Sequence, residues 1–338
     1  MKFIEWLIPA ALVGCAASAD SVDVDPDEVS SDLSSTQAEI AARAIPDVSC
    51  AGDPDAGPRG TFRHFGSTLL SALAAPQHRG FDLVASAEAA TQQLEGWIKY
   101  GLGTALGDED VDLFACRAGA WQRAGTTRTD SDGHFSLGLS GASRLAVGTR
   151  DLFVSVVGDR SGVRFLGEVA PAGTQLVISD VDGTLTSSEN AFIATILLGI
   201  EPDAQAGAAQ VFGAAQAAGR QLVYVTARAD QYTTATRDWL EHKGFPRGAL
   251  RLSPQTLTAS DATIDYKTRA IAALSAAGFA LSAGVGNRAT DVAAYTATGI
   301  AAGRIFIKLP EFQSEVQPAL DAHQAVGIAE YSELTGKL

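Results

Sequence analysis

The chain has 338 residues, about two domains by length, and 46% of them are hydrophobic, ample for packed cores. Its formal net charge of −14 argues against a nucleic-acid backbone as the main partner, since phosphate binding wants clustered Lys and Arg, and against broad adhesion to an anionic membrane. The three cysteines, at 15, 50 and 116, lie too far apart for a Cys-based zinc motif.

Residues 1–20 read as a lipoprotein-type signal peptide. Lys2 gives a positive start, Phe3 to Val13 is mostly apolar, and small residues follow. The apolar run is too short to span a bilayer as a stable helix. "LVGC" at 12–15 resembles a bacterial lipobox, which would lipidate Cys15 and make the chain an exported, membrane-anchored bacterial lipoprotein, periplasmic or at the cell surface. The competing reading is a buried amphipathic helix with a free thiol. Residues 21–45 are acidic and serine-rich and read as a disordered tether. With Cys15 set aside, Cys50 and Cys116 remain an even pair that an exported protein can join as a disulfide; two unpaired buried thiols are the alternative.

Residues 46–92 carry mixed helical signals such as "STLLSALAAP" and read as a lead-in. Over 93–171 short runs rich in aromatic and β-branched residues alternate with Gly, Asp and Ser, which predicts a small antiparallel β-sandwich of roughly seven strands. "TRTDSDGHFSL" reads as a hairpin turning at Asp130 to Gly133, with Phe135 inward. This stretch resembles small sandwiches of the transthyretin-like type. From 172 to 338 strands and helices alternate, which predicts an α/β domain with a Rossmann-like parallel sheet. Strands are expected at 175–180, 221–226, 249–252, 281–285 and 304–308. Helices are expected at 190–199, 204–218, 230–243, 265–277 and 289–297.

Four polar marks fall at the ends of these strands. Asp180 and Asp182 close the first strand in "LVISDVDGTLTSSE". Thr226 closes the second, Lys267 opens a helix in "DATIDYKTRAIAAL", and Asn287 and Asp291 follow the fourth strand. In doubly wound sheets, binding groups collect at these carboxyl ends. The types are complementary for Mg²⁺ and a phosphoryl group: carboxylates, a hydroxyl, an ammonium and an amide. Asp180 can act as nucleophile, giving an aspartyl-phosphate, and Asp182 as acid and base. Thr226 and Lys267 would bind and neutralise phosphate. Gly183 and Thr184 let the backbone approach it, and Arg288 attracts it. Asp180, Asp182, Asn287 and Asp291 would hold Mg²⁺. Arg228 and Arg247 lie near the motifs, although a lone arginine is more often solvated or ion-paired. A lone DxDG is a common turn; the weight comes from four marks in order after four strands.

Residues 174–312 resemble the catalytic domain of lipins, the Mg²⁺-dependent phosphatidate phosphatases of the haloacid dehalogenase superfamily. "ISDVDGTLTSS", "VYVTARA", "TRDWL", "PRGALRLSP", "YKTRAI" and "GNRATDVAAYTATGI…RIFIK" carry the resemblance. The preceding sandwich resembles actin-patch-type phosphatidate phosphatases more loosely. The resemblance implies hydrolysis of phosphatidate to diacylglycerol with Mg²⁺, by an enzyme with little or no cap whose partner is a phosphorylated lipid in a membrane. Some lipin-like domains of lipid-transfer proteins lack the nucleophilic aspartate and serve lipid binding. This chain keeps both aspartates and groups with the enzymes. The alternatives are a phosphatase of soluble or polymeric phosphate monoesters and a non-catalytic lipid-binding surface protein. Oligomeric state is not legible.

Overall fold

A computed structural model describes residues 45–189 and 201–338. The N-terminal part is built from short strands. They are β1 Asp47–Val48, β2 Arg79–Phe81, β3 Leu83–Ser86, β4 Thr91–Trp97, β5 Lys99–Tyr100, β6 Thr104–Ala105, β7 Asp110–Arg117, β8 Ala120–Arg128, β9 His134–Ser140, β10 Gly148–Val156 and β11 Gly162–Ala170. One helix, α1 Phe65–Leu73, stands between β1 and β2. One sheet runs β3-β11-β10-β7-β8 with β1 beside β10, a second runs β2-β4-β9, and β5 and β6 form a separate ribbon. The shared core takes Leu94 and Phe135 from the small sheet, and Leu113, Leu152, Val154 and Phe165 from the large one. Period-two patterning in "TQQLEGW" buries every second residue of β4 inward, as a half-covered strand requires.

Three expectations for this part are corrected. The stretch 46–92 supplies α1 but also β1, β2, β3 and the start of β4, so the sandwich begins before residue 93. The pairs β1–β10 and β3–β11 are parallel, so the sandwich is not purely antiparallel. Asp130 to Gly133 is a turn, with the Gly133 N–H donating to the Asp130 carbonyl at 3.0 Å, and Phe135 is buried. Yet β8 pairs with β7 and β9 pairs with β4, so no hairpin forms. The turn carries the chain from one sheet to the other. A two-layer core needs such crossings, and the same Asp and Gly residues serve either kind of turn.

The C-terminal part alternates β12 Gln175–Ser179, α2 Ala208–Ala217, β13 Gln221–Ala229, α3 Thr233–His242, β14 Ala249–Ser253, α4 Ser260–Ala276, β15 Ala280–Gly286, α5 Ala289–Ala297, β16 Ile305–Lys308, α6 Gln313–Asp321 and β17 Val326–Ile328. The sheet order is β14-β13-β12-β15-β16-β17, and each pair is parallel. Such strands are covered on both faces, which is why "LVIS" of β12 is apolar without alternation and wholly buried. One core holds Val177, Tyr224 and Phe306, and the other holds Ile178, Val225 and Ile307. The chain is therefore mixed α/β, with a sandwich-like region ahead of a parallel sheet. The sixth strand β17 and the helix α6 are additions to the expected elements. Helix α4 starts at Ser260, so Lys267 stands well inside it rather than at its start. Its first turns, "SDATIDY", lack the apolar period that marks a buried helix. The expected helix 190–199, the segment 1–20 with Cys15, and nearly all of the tether lie outside the described residues.

Sandwich and sheet share one compact unit, Ile40–Leu338. Buried Asp82 joins them, accepting from Leu166 N–H at 2.8 Å on the sandwich side and from Leu250 N–H at 2.7 Å on the sheet side. Arg237 of α3 adds an ion pair to Asp82 at 2.6 Å. Arg247 reaches back to Asp151 at 2.5 Å and to Asp47. Cys50 and Cys116 form a disulfide that ties the segment after β1 to β7.

Candidate functional site

The aspartate pair follows β12, where the sheet order reverses: β13 lies on one side and β15 on the other. A crevice at such a switch point is where open α/β sheets bind ligands. The Asp180 N–H donates to the Val285 carbonyl at 2.9 Å, so β-like pairing continues into the first aspartate. Gly183 then turns with φ +66°, and a Cβ there would collide with the Asn287 amide nitrogen. Only glycine fits that combination of dihedral and space.

Lys267 binds two carboxylates at once. Its Nζ donates to Asp180 Oδ1 and to Asp291 Oδ1, each at 2.6 Å. Asp180 Oδ2 accepts from Thr184 Oγ1 at 2.9 Å. Asp291 Oδ2 accepts from the N–H groups of Asn287 and Arg288, each at 3.0 Å, which caps the start of α5. Asp180, Thr184, Lys267, Asn287 and Asp291 are all buried. Burial pushes the Asp180 carboxyl up to about 7; Lys267 pulls it down, while Asp291, Glu189 and Asp182 add to the rise. Burial by itself would lower the Lys267 ammonium, but Asp180 and Asp291 outweigh it and hold it above its ordinary value.

Asp182 turns to a different cation. Arg228 grips it through both oxygens, Nε to Oδ2 at 2.8 Å and Nη2 to Oδ1 at 2.6 Å. Thr236 fixes the guanidinium from behind at 3.0 Å, and Thr226 lies 3.3 Å from Asp182 Oδ2. Arg288, at the rim, pairs with Glu315 at 2.9 Å and Glu189 at 3.4 Å, and stacks 4.0 Å from the Phe312 ring centre. These groups line a cleft of about 480 Å³ whose other wall is rich in hydroxyls, among them Thr256, Thr258, Ser260 and Thr263.

The structure thus brings Asp180, Asp182, Thr226, Lys267, Asn287, Asp291 and Arg288 to one end of the sheet, with Gly183 and Thr184 in the turn beneath. Arg247 is not among them; it is spent on Asp47 and Asp151 at the sandwich junction. Arg228 is ion-paired too, within the solvated-or-ion-paired expectation, but its partner is the second aspartate of the cleft. Glu189, Glu315 and the hydroxyl wall were not anticipated. Glu189 sits two residues past the "DGTLTS" turn, a signal that was available, whereas Glu315 lies on a helix that the sequence did not reveal.

The expected Mg²⁺ shell can be tested against these positions. Among the described residues, no group of three or more acidic, His or Cys side chains is placed to hold a metal ion. Both oxygens of Asp180, of Asp182 and of Asp291 already accept from protein donors, and Asp182 faces Arg228 rather than Asp291. As placed, Asp180 and Asp291 turn to Lys267, and Asp182 turns to Arg228.

Comparison with known proteins covers both parts of the chain. Residues 177–308 match the family model described as "PITM 1-3, LNS2 domain", and residues 76–169 match "PITM 1-3, beta-sandwich domain". The likeness points to the phosphatidylinositol transfer family. Protein retinal degeneration B of Drosophila melanogaster is 28% identical over 69% of this chain and 18% of its own length. Membrane-associated phosphatidylinositol transfer protein 3 of Homo sapiens is 29% identical over 52% of this chain and 18% of its own length. Membrane-associated phosphatidylinositol transfer protein 1 of Rattus norvegicus is 30% identical over 51% of this chain and 14% of its own length. The chain therefore spans less than a fifth of each relative. Among solved structures, a putative beta-phosphoglucomutase from Thermotoga maritima aligns at TM-score 0.34 and 13% identity, over 48% of this chain and 98% of that one, too loose a fit to carry an argument.

These findings correct the functional expectations. The likeness is to lipid-transfer proteins over both parts, not to lipin phosphatidate phosphatases, so the reading as a Mg²⁺-dependent phosphatidate phosphatase is withdrawn. Keeping both aspartates did not place the chain among the enzymes. The reading as an exported bacterial lipoprotein is overturned too, because the matched relatives are animal proteins, several of them named as membrane-associated. Among the described residues no helix is long and apolar enough to cross a membrane.

Proposed function

We propose that this chain is a non-catalytic phospholipid-binding module whose cleft seats a phosphate-bearing headgroup without hydrolysing it. The observation that carries this reading is the condition of the aspartate pair. An acid–base catalyst turns its carboxyl to the substrate with which it trades a proton. Asp182 instead has both oxygens held by Arg228, and Asp180 has both held by Lys267 and Thr184. The acidic pair thereby fixes the cations and the turn. The wall of hydroxyls remains for a headgroup, and Arg288 at the rim joins it by exchanging Glu315 and Glu189 for the phosphate. The likeness to phosphatidylinositol transfer proteins supports a lipid ligand. The reading requires no metal.

Vesicle flotation of the full chain tests it. Phosphatidylcholine vesicles carrying an acidic phospholipid should retain more protein than phosphatidylcholine alone, with or without EDTA. Arg288→Ala should remove most of that gain, about tenfold in affinity, for loss of a hydrogen bond to a charged group. Asp180→Asn should bind as the unchanged protein does. Phosphate release from phosphatidate that disappears in Asp180→Asn would overturn the reading.

A further inference from the structure

Phe65, Leu69 and Leu73 stand one above another on α1 and face water, at 83%, 50% and 78% exposure. The far side of the same helix is in use: Leu70 and the adjoining Ala74 pack against the sandwich core. Beyond the helix, Leu102 projects from the tip between β5 and β6, at 109% exposure. The tip is held beside the end of α1. Gly101 N–H donates to the Ala75 carbonyl at 2.8 Å, and a Cβ on Gly101 would lie 3.3 Å from the Ala74 Cβ. Four large apolar side chains therefore share one corner. Neither "FGSTLLSAL" nor the tip "GLGTA" contains a charged residue, in a chain of net charge −14. Burying side chains of this size removes a large apolar area from water, so a corner of this kind marks an interaction surface.

Shape and surroundings select the occupant. The corner is a ridge and a tip, not a groove. A folded partner would need a matching trough, whereas fluid acyl chains close around any protrusion. Beside the corner Lys99 Nζ lies 4.6 Å from the centre of the Trp97 ring, and Phe81 meets that ring edge-on. Such an aromatic and cationic rim suits the headgroup layer of a bilayer. The same strands lead to the cleft. Arg79, paired with Trp97 across β2 and β4, forms an ion pair at 2.6 Å with Asp230, two residues beyond Arg228.

We propose that α1 and the Leu102 tip insert into the interfacial layer of a lipid bilayer. Resting on the lipid-binding reading above, this insertion holds the cleft at headgroup level. The full chain carrying Cys15→Ser tests it, with Leu69→Cys, Leu102→Cys or, as a control, Asp132→Cys labelled with a nitrobenzoxadiazole fluorophore. On addition of phosphatidylcholine–phosphatidylinositol vesicles, the labels at 69 and 102 should shift to the blue and brighten, and the label at 132 should not change. The triple variant Leu69→Asp, Leu73→Asp, Leu102→Asp should float at least about tenfold less well, while its calorimetric binding of glycerol 3-phosphate is unchanged. Labels at 69 and 102 that stay in a watery environment, or a triple variant that floats normally, overturn the proposal. Light scattering that shows a dimer broken by the triple variant overturns it in favour of a second copy. Shifted labels with no glycerol 3-phosphate binding would sink the headgroup reading and leave the insertion standing.

Discussion

The residues of the cleft were largely visible in the sequence, but their duties were not. Asp180, Asp182, Thr226, Lys267 and Asp291 could be picked out because strand ends in a parallel sheet are few and their side-chain chemistry is distinctive. Which oxygen faces which cation is a matter of a few tenths of an ångström and of side-chain direction, and no spacing encodes it. Arg228 shows the limit: its place beside Thr226 was plain, and its bidentate hold on Asp182 was not. A residue outside the cleft was not legible at all. Glu168, in β11, is fully buried at the junction with the sheet. Burial raises its carboxyl from 4.5 to about 8; Arg251 and the backbone of Ala249 oppose the rise, and Asp82 adds to it. Between those two values the unfolded chain has lost the proton that the folded chain keeps. Stability should therefore fall as pH rises from 4.5 to about 8, by about 1.4 kcal/mol per pH unit from this group. Glu168→Gln should abolish that slope and leave the protein more stable than the unchanged chain at pH 8, as urea midpoints across the pH series would register. A slope that survives in the variant would assign it to another group.

At the scale of elements, strong periods were read well and short ones poorly. The strand and helix around "GVGNRATDVAAYTA" fell close to their expected places, because Gly286 packs directly on Asp291 and leaves the chain little choice there. β1, β2 and β3 are two to four residues long, too short to show a period of two. β17 and α6 had no motif to announce them. The disulfide operates at this scale as well, closing a separation of 66 residues between Cys50 and Cys116. Loop-closure entropy gives about 4 kcal/mol for a ring of that size. Dithiothreitol should lower the unfolding free energy by up to about that amount, and Cys50→Ala with Cys116→Ala should reproduce the loss without reductant. Equal urea midpoints for the oxidised and reduced chains would show that the bond adds nothing.

For the molecule as a whole, the junction of sandwich and sheet decides whether the chain behaves as one body. Asp82 accepts from both sides and also pairs with Arg237, so its removal leaves a partly buried guanidinium and two buried backbone donors without their acceptor. Asp82→Ala should cost about 3–5 kcal/mol. It should also split a single calorimetric transition into two, one for each part. One sharp transition in the variant would show that apolar packing alone couples them.

The sequence by itself determined the class of each part and the place of the cleft. Hydrophobic period and chain order are local or topological properties, and a parallel sheet offers its binding groups only at one end. The tertiary structure alone decided how the charged groups of the cleft are paired. Lys267, Asp180 and Asp291 come from three separated segments, and only their convergence shows that the acidic groups are tied to the protein's own cations. It also decided that α1 keeps one apolar face in water. An amphipathic period shows that a helix has an apolar stripe, but only the packed fold tells which side the core has taken.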